Sequence, residues 1–125
     1  MTPLCVLYVD DEPDIREVAQ LSLELDEGVT VRCAASAYEA LTMLEGGLKP
    51  DVMLLDVMMP AMDGPALVEA MDRRGDWPSL KVIYLTARTQ RPAEANPRVL
   101  GVIGKPFDPM TLAMELRAIL ARGAG

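Results

Sequence analysis

Four stretches of the chain place polar, chemistry-bearing residues directly behind apolar runs. Asp10-Asp11-Glu12 follow Leu4–Val9, Asp56 follows Val52–Leu55, Thr86 follows Lys81–Leu85, and Lys105-Pro106 follow Leu100–Gly104. One acid behind one apolar run is ordinarily a solvated turn residue. The joint pattern says more. If the runs are strands of one parallel sheet, the residues beyond their carboxyl ends share the edge where open α/β sheets bind ligands. Asp10, Asp11 and Asp56 then crowd three negative charges together, and like carboxylates that close repel one another. Lys105 offsets one charge, and a divalent cation would offset the other two. All-oxygen donors with no His or Cys nearby suit a hard ion, Mg2+ or Mn2+. Such an ion keeps open positions that fit phosphoryl oxygens. Thr86 could donate to one such oxygen and Lys105 could neutralise another. A carboxylate can itself be the nucleophile, giving an aspartyl phosphate. Asp56, alone at its strand end, suits that role, whereas the Asp10-Asp11 pair suits the metal.

The elements that must position these residues alternate in type. Leu4–Val9 reads as a buried strand. Pro13 suits a first helical turn, and Ile15, Val18, Leu21 and Leu25 supply its apolar positions, with Gly28 as the stop. Val29–Ala34 is a second strand. Ser36 and Glu39 form a capping box before the stripe Ala37, Ala40, Leu41, Leu44, which Gly46-Gly47 end. Val52–Leu55 is the third strand. Asp63-Gly64-Pro65 open a helix carrying Leu67, Ala70 and Met71. Lys81–Leu85 is the fourth strand, and Leu100–Gly104 a short fifth. Asp108-Pro109 are expected to cap a last helix with Leu112, Leu116, Ile119 and Leu120 on one face and Gly123 as its stop. Residues 87–99, with Pro92 and Pro97, have little periodicity and predict a short or irregular fourth helix, or a loop. Strands alternating with helices imply parallel βαβ units with right-handed crossovers.

Composition narrows the function classes. At 125 residues the chain is long enough for one domain, with a core expected over about residues 4–122. Half the residues are apolar and a quarter charged, which argues against disorder. No apolar stretch approaches the roughly 20 residues of a membrane helix. With 19 acids against 12 bases the formal charge is -7, which disfavours nucleic-acid binding through a basic face. The absence of histidine excludes His-based general-base catalysis, His metal ligands and phosphohistidine formed on this chain. Cys5 and Cys33, both in apolar runs, read as buried free thiols in a reducing compartment. Met58, Met59 and Met62 read as packing residues, Trp77-Pro78 as a packed loop, and Arg73-Arg74 as cations at a helix carboxyl end.

Taken in order, Asp10-Asp11, Asp56 with Val57-Met58-Met59-Pro60, Met62-Asp63-Gly64, Thr86-Ala87 and Lys105-Pro106-Phe107 resemble the receiver domain of two-component response regulators. The likeness runs from Val6 to about Leu120. It implies a flavodoxin-like (βα)5 fold, a three-layer sandwich around a five-stranded parallel sheet of order 2-1-3-4-5. It implies a cytoplasmic signalling switch that takes a phosphoryl group on Asp56 from a histidine kinase or histidine phosphotransfer protein and then changes its contacts with a downstream protein. It implies that Asp11, Asp56 and the main-chain carbonyl of Met58 bind Mg2+, with Asp10 acting through water. By the same resemblance Thr86 and Lys105 contact the phosphoryl group, Met58 and Ala87 border the path of attacking water, and the Lys105–Pro106 bond is cis. The chain is then not an enzyme in the ordinary sense, beyond its own phosphorylation and slow dephosphorylation.

Two features depart from that pattern. The switch aromatic expected three residues before the lysine is Val102 here, and the interval from Thr86 to Lys105 is shorter than usual. Both changes affect the usual output face and point to residues 87–99 as the output element. A second reading is therefore a phosphorylation-independent interaction module that keeps the fold. A phosphohydrolase of the haloacid-dehalogenase type would want a second Asp where Met58 stands, and Met58 cannot transfer a proton. Acids after the first strand would repel the phosphate of a flavin. The chain reads either as a stand-alone receiver or as a piece of a longer protein.

Overall fold

The computed structural model describes residues 3–87 and 96–124. Its elements are β1 (Leu4–Val9), α1 (Pro13–Glu24), β2 (Val29–Ala34), α2 (Ala37–Glu45), β3 (Val52–Asp56), α3 (Gly64–Arg74), β4 (Lys81–Thr86), β5 (Val99–Gly104) and α4 (Leu112–Ala124). The five strands form one parallel sheet of order β2-β1-β3-β4-β5, as the resemblance implied. Most of the stretch 87–99, expected as a short or irregular fourth helix or a loop and as the output element, lies outside the described residues.

Strands β1, β3 and β4 are buried nearly end to end because helices cover both faces of the sheet. Alternate strand residues serve two separate cores. Val6, Tyr8, Leu54, Ile83 and Leu85 meet α1 and α4 through Ala19, Leu23, Leu112, Leu116 and Ile119. Leu7, Val9, Met53, Leu55, Val82 and Tyr84 meet α2 and α3 through Ala40, Leu44, Leu67, Val68 and Met71.

Local signals set most element ends. The Ser36 hydroxyl accepts the Glu39 N–H at 3.0 Å, and the Glu39 carboxylate accepts the Ala35 N–H at 3.2 Å, a capping box reaching one residue further back than usual. Asp63 caps α3 by accepting the Ala66 N–H at 2.9 Å. Gly64, the first residue of α3, is required by close approach: a Cβ there would lie 2.7 Å from the Asp56 carbonyl oxygen. Arg73 and Arg74 occupy the last turn of α3, and the Arg74 guanidinium lies 4.7 Å from the centre of the Trp77 ring.

Several expectations are corrected. The apolar face of α1 does not point inward as a whole. Ala19, Ser22 and Leu23 are buried, while Val18, Leu21 and Leu25 are 44%, 64% and 65% exposed. The small Ala19 and Ser22 let α1 lie close to the sheet and α4, and the Ser22 hydroxyl donates to the Pro109 carbonyl. The helix ends at Glu24, before Gly28. Asp108-Pro109 do not cap α4: Asp108 closes a preceding turn by accepting the Met110 N–H, and the helix begins at Leu112. Gly123 does not stop α4, which runs to Ala124; it makes room for Leu100, whose Cδ1 would lie 2.8 Å from a Cβ there. Cys5 and Cys33 are free but only half-buried: Cys5 lies at the open start of β1 and Cys33 on the edge strand β2.

The pairing of β4 with β5 contains one irregular step. Val82 pairs with Val99 but Ile83 pairs with Gly101, so Leu100 is an extra residue; regular pairing then continues to Thr86 opposite Gly104. At the far end of the sheet the buried Arg98 ties β5 down. Its guanidinium donates to the Trp77 and Leu80 carbonyls at 2.6 and 2.8 Å and pairs with Asp72 at 3.0 Å.

Candidate functional site

The site is built where four neighbouring strands, β1, β3, β4 and β5, end. Hydrogen bonding along β1 finishes with the Asp10 N–H donating to the Ala34 carbonyl at 3.1 Å. The chain then turns into α1, and the Asp10 carboxylate helps make that turn by accepting the Glu12 N–H at 3.0 Å. Asp56 is the last residue of β3, and its carboxylate accepts the Met58 N–H at 3.1 Å, which folds the following loop back over the strand end. Thr86 ends β4 and is buried; its carbonyl accepts the Lys105 N–H at 2.8 Å, which sets Lys105 level with it. The Lys105–Pro106 peptide is cis, in agreement with the expectation.

Asp10, Asp11 and Asp56 converge: one carboxylate oxygen from each lies within 4.8 Å of the others. The Lys105 ammonium reaches Asp10 Oδ2 at 2.9 Å and Asp56 Oδ2 at 3.2 Å, with Glu12 at 3.8 Å. The Asp10 side chain is wholly buried, Asp56 nearly so, and Asp11 only half. Burial pushes the Asp56 carboxyl above its ordinary value and the Asp10 charge adds to the rise, while Lys105 and the Met58 N–H oppose it. Burial pulls the Lys105 ammonium down, but the hydrogen bonds and charges of Asp10 and Asp56 hold it above its ordinary value. These carboxylates fit a hard divalent cation: the donors are all oxygen, three fall within the span of one ion, and the half-exposed Asp11 leaves a way in.

Asp56 is not walled off. It lines a cleft of about 450 Å³ together with Lys105, Ala87, Met58, Glu12 and an apolar wall of Ile15, Val18, Pro106 and Phe107. Met58 is 68% exposed at the mouth. Val102 stands apart from this cleft, half-buried against the α2–α3 core. The aromatic side chain at its level is Tyr84, its partner in register on β4, which is buried with its phenol pushed up to about 12.

Two residues that bond to Asp10 escaped the sequence reading. The Tyr8 hydroxyl donates to Asp10 Oδ2 at 3.1 Å, and Arg16 Nη1 donates to the Asp10 carbonyl at 2.8 Å. A signal for Tyr8 exists: it breaks an aliphatic strand two residues before an acid, and that spacing puts both side chains on one face.

The model of the response regulator receiver domain family matches residues 6–117. The chain belongs to this family. Response regulator Rre1 of Synechocystis sp. is 37% identical over 123 residues, which are 96% of this chain and 53% of that protein. Response regulator SaeR of Staphylococcus aureus is 36% identical over 120 residues, 94% of this chain and 50% of that protein. The receiver thus spans about half the length of these relatives. Among solved structures, the chemotaxis response regulator CheY4 of Vibrio cholerae superposes with a TM-score of 0.81 at 31% identity, covering 94% of this chain and 99% of that one. A CheY-like receiver domain protein of Methanospirillum hungatei gives 0.80 at 28% identity, covering 96% of both chains. Among the described residues, no helix of the receiver is long and apolar enough to cross a membrane.

Proposed function

We propose that this receiver is a phosphoacceptor switch of a two-component pathway, working in the cytoplasm and taking a phosphoryl group on Asp56 from a histidine kinase or histidine phosphotransfer protein. The observation that carries the reading is the single Lys105 ammonium bridging Asp10 and Asp56 beside a third carboxylate. Such a cluster keeps an unbalanced negative charge, suited to Mg2+ and then to an incoming phosphoryl group. Asp11, Asp56 and the Met58 carbonyl would hold the ion, with Asp10 behind them; bound there, Mg2+ supplies positive charge against the phosphoryl oxygens.

The protein's own groups divide the remaining work. Asp56, ionised and facing the cleft, attacks phosphorus in line with the departing donor. Lys105 shifts from the Asp56 carboxylate to a phosphoryl oxygen, and the Thr86 hydroxyl donates to another. The apolar wall of Ile15, Val18 and Phe107 receives the donor and keeps water sparse around the reacting atoms. The product stays covalently bound, so the chain acts as an acceptor rather than a turnover enzyme. Its readout is a change in protein contacts, made without a ring at position 102.

The test is incubation with acetyl phosphate and Mg2+, followed by intact mass measurement. Wild type is expected to gain one phosphoryl group, and both Asp56→Asn and a metal-free reaction are expected to gain none. The alternative, a phosphorylation-independent interaction module, draws on Val102 and on the shortened interval from Thr86 to Lys105; it prevails if neither acetyl phosphate nor a phosphorylated histidine kinase modifies the wild type.

A further inference from the structure

Asp10 is the most heavily bonded carboxylate of the cluster, and only part of that bonding concerns Lys105. Its Oδ1 accepts the Glu12 N–H at 3.0 Å, and its Oδ2 is shared between Lys105 Nζ at 2.9 Å and the Tyr8 hydroxyl at 3.1 Å. With no exposed surface, Asp10 has no bulk water to replace a lost donor. Lys105 also bonds Asp56 at 3.2 Å, and in the reading above it moves towards a phosphoryl oxygen. That movement weakens its hold on Asp10 Oδ2, and a buried carboxylate oxygen losing its donor is costly. The Tyr8 hydroxyl cannot follow Lys105. Its ring is fully buried in the α1–α4 core, on the same strand as the carboxylate it serves.

We infer that Tyr8 is a positioning residue of the acidic site: its hydroxyl holds the Asp10 carboxylate in place while Lys105 changes partners, and thereby tunes the affinity for the divalent cation. The inference rests on the receiver reading but concerns a residue outside the motifs that identify the family. The phenol serves as the donor of the 3.1 Å contact, because a carboxylate oxygen can only accept. Partners of this kind behind metal-binding carboxylates commonly change cation affinity by about 10- to 100-fold when removed.

The experiment is calorimetric titration of the full chain with Mg2+, alone and with beryllofluoride, comparing wild type with Tyr8→Phe, which loses a single oxygen. Affinity for Mg2+ is expected to fall about tenfold, and the beryllofluoride complex to weaken with it. A purely structural role would lower the Tm and leave both affinities unchanged. A second measurement needs no change at Tyr8: Mg2+ should produce a near-ultraviolet tyrosine difference spectrum that persists in Tyr38→Phe and in Tyr84→Phe. Equal affinities in wild type and Tyr8→Phe, or no such spectrum when wild type binds Mg2+, overturn the role of Tyr8 alone. A wild type that binds no Mg2+ and accepts no phosphoryl group overturns the receiver reading and this role with it.

Discussion

At Asp56 burial and charge pull in opposite directions, and burial wins. Its carboxyl sits above the ordinary 3.8, so the folded chain binds that proton more tightly than the unfolded chain does. The contribution of Asp56 to stability is therefore greatest below pH 3.8, falls as pH rises from there through the raised value, and stays reduced above it. Asp56→Asn removes that cost. In metal-free buffer the variant is expected to exceed wild type in Tm by a few degrees near neutrality and to lose the advantage below pH 3.8; thermal melts at the two pH values check this. Arg98 presents the opposite case, a buried cation that satisfies two main-chain carbonyls and Asp72. Arg98→Met leaves those carbonyls without their donor and is expected to cost about 2–4 kcal/mol in urea unfolding, while phosphorylation of the folded fraction persists, because this anchor lies at the opposite end of the sheet. The gathering of these side chains was legible in the sequence because acids, hydroxyl and ammonium each end or directly follow a strand. Tyr8 was not, because a tyrosine in a buried strand resembles core until its hydroxyl is seen to meet an acid.

Among the elements, the junction of β3 and α3 is the least tolerant of change. A Cβ on Gly64 would meet the main chain of Asp56 and Val57 at 2.7 and 3.2 Å, and backbone cannot give way as a side chain can. Gly64→Ala is expected to destabilise the fold by about 1–3 kcal/mol and also to slow phosphorylation at Asp56, whereas Gly47→Ala, in open space but at a positive φ of 106°, is expected to lower stability alone. Chemical denaturation together with phosphorylation rates separates the two. Strand positions and the α2 and α3 starts were legible because continuous apolar runs, a capping box and an Asp cap are local signals. The inward face of α1 was not. Its larger residues repeat at helical spacing, but the fold turns Ala19, Ser22 and Leu23 inward, and the small pair lets the helix lie close to the sheet and α4. The start of α4 was missed for a related reason: Asp108 has an N–H to accept, but it belongs to the preceding turn.

For the whole molecule, an ion held at the acidic site would couple its binding to folding. A ligand bound only by the folded state stabilises it by about 2.7 kcal/mol at a hundredfold excess over Kd. Mg2+ is expected to raise the Tm of wild type by several degrees and that of Asp11→Asn far less, a difference that melts across a Mg2+ series will measure. The parallel sheet with helices on both faces was foreseeable from alternating element types, whereas its strand order followed only from the likeness to receiver domains. The half-buried Cys5 and Cys33 were not foreseeable, because which flanks of the sheet stay uncovered depends on the assembled layers. One last property follows from the irregular step at Leu100. The stretch from Thr86 to Lys105 is shortened, yet the ammonium still arrives beside its two carboxylates, since the final residues of β5 take their alignment from β4 and the slack is absorbed upstream. The connecting segment can therefore vary in length without disturbing the geometry at the other end of the strand.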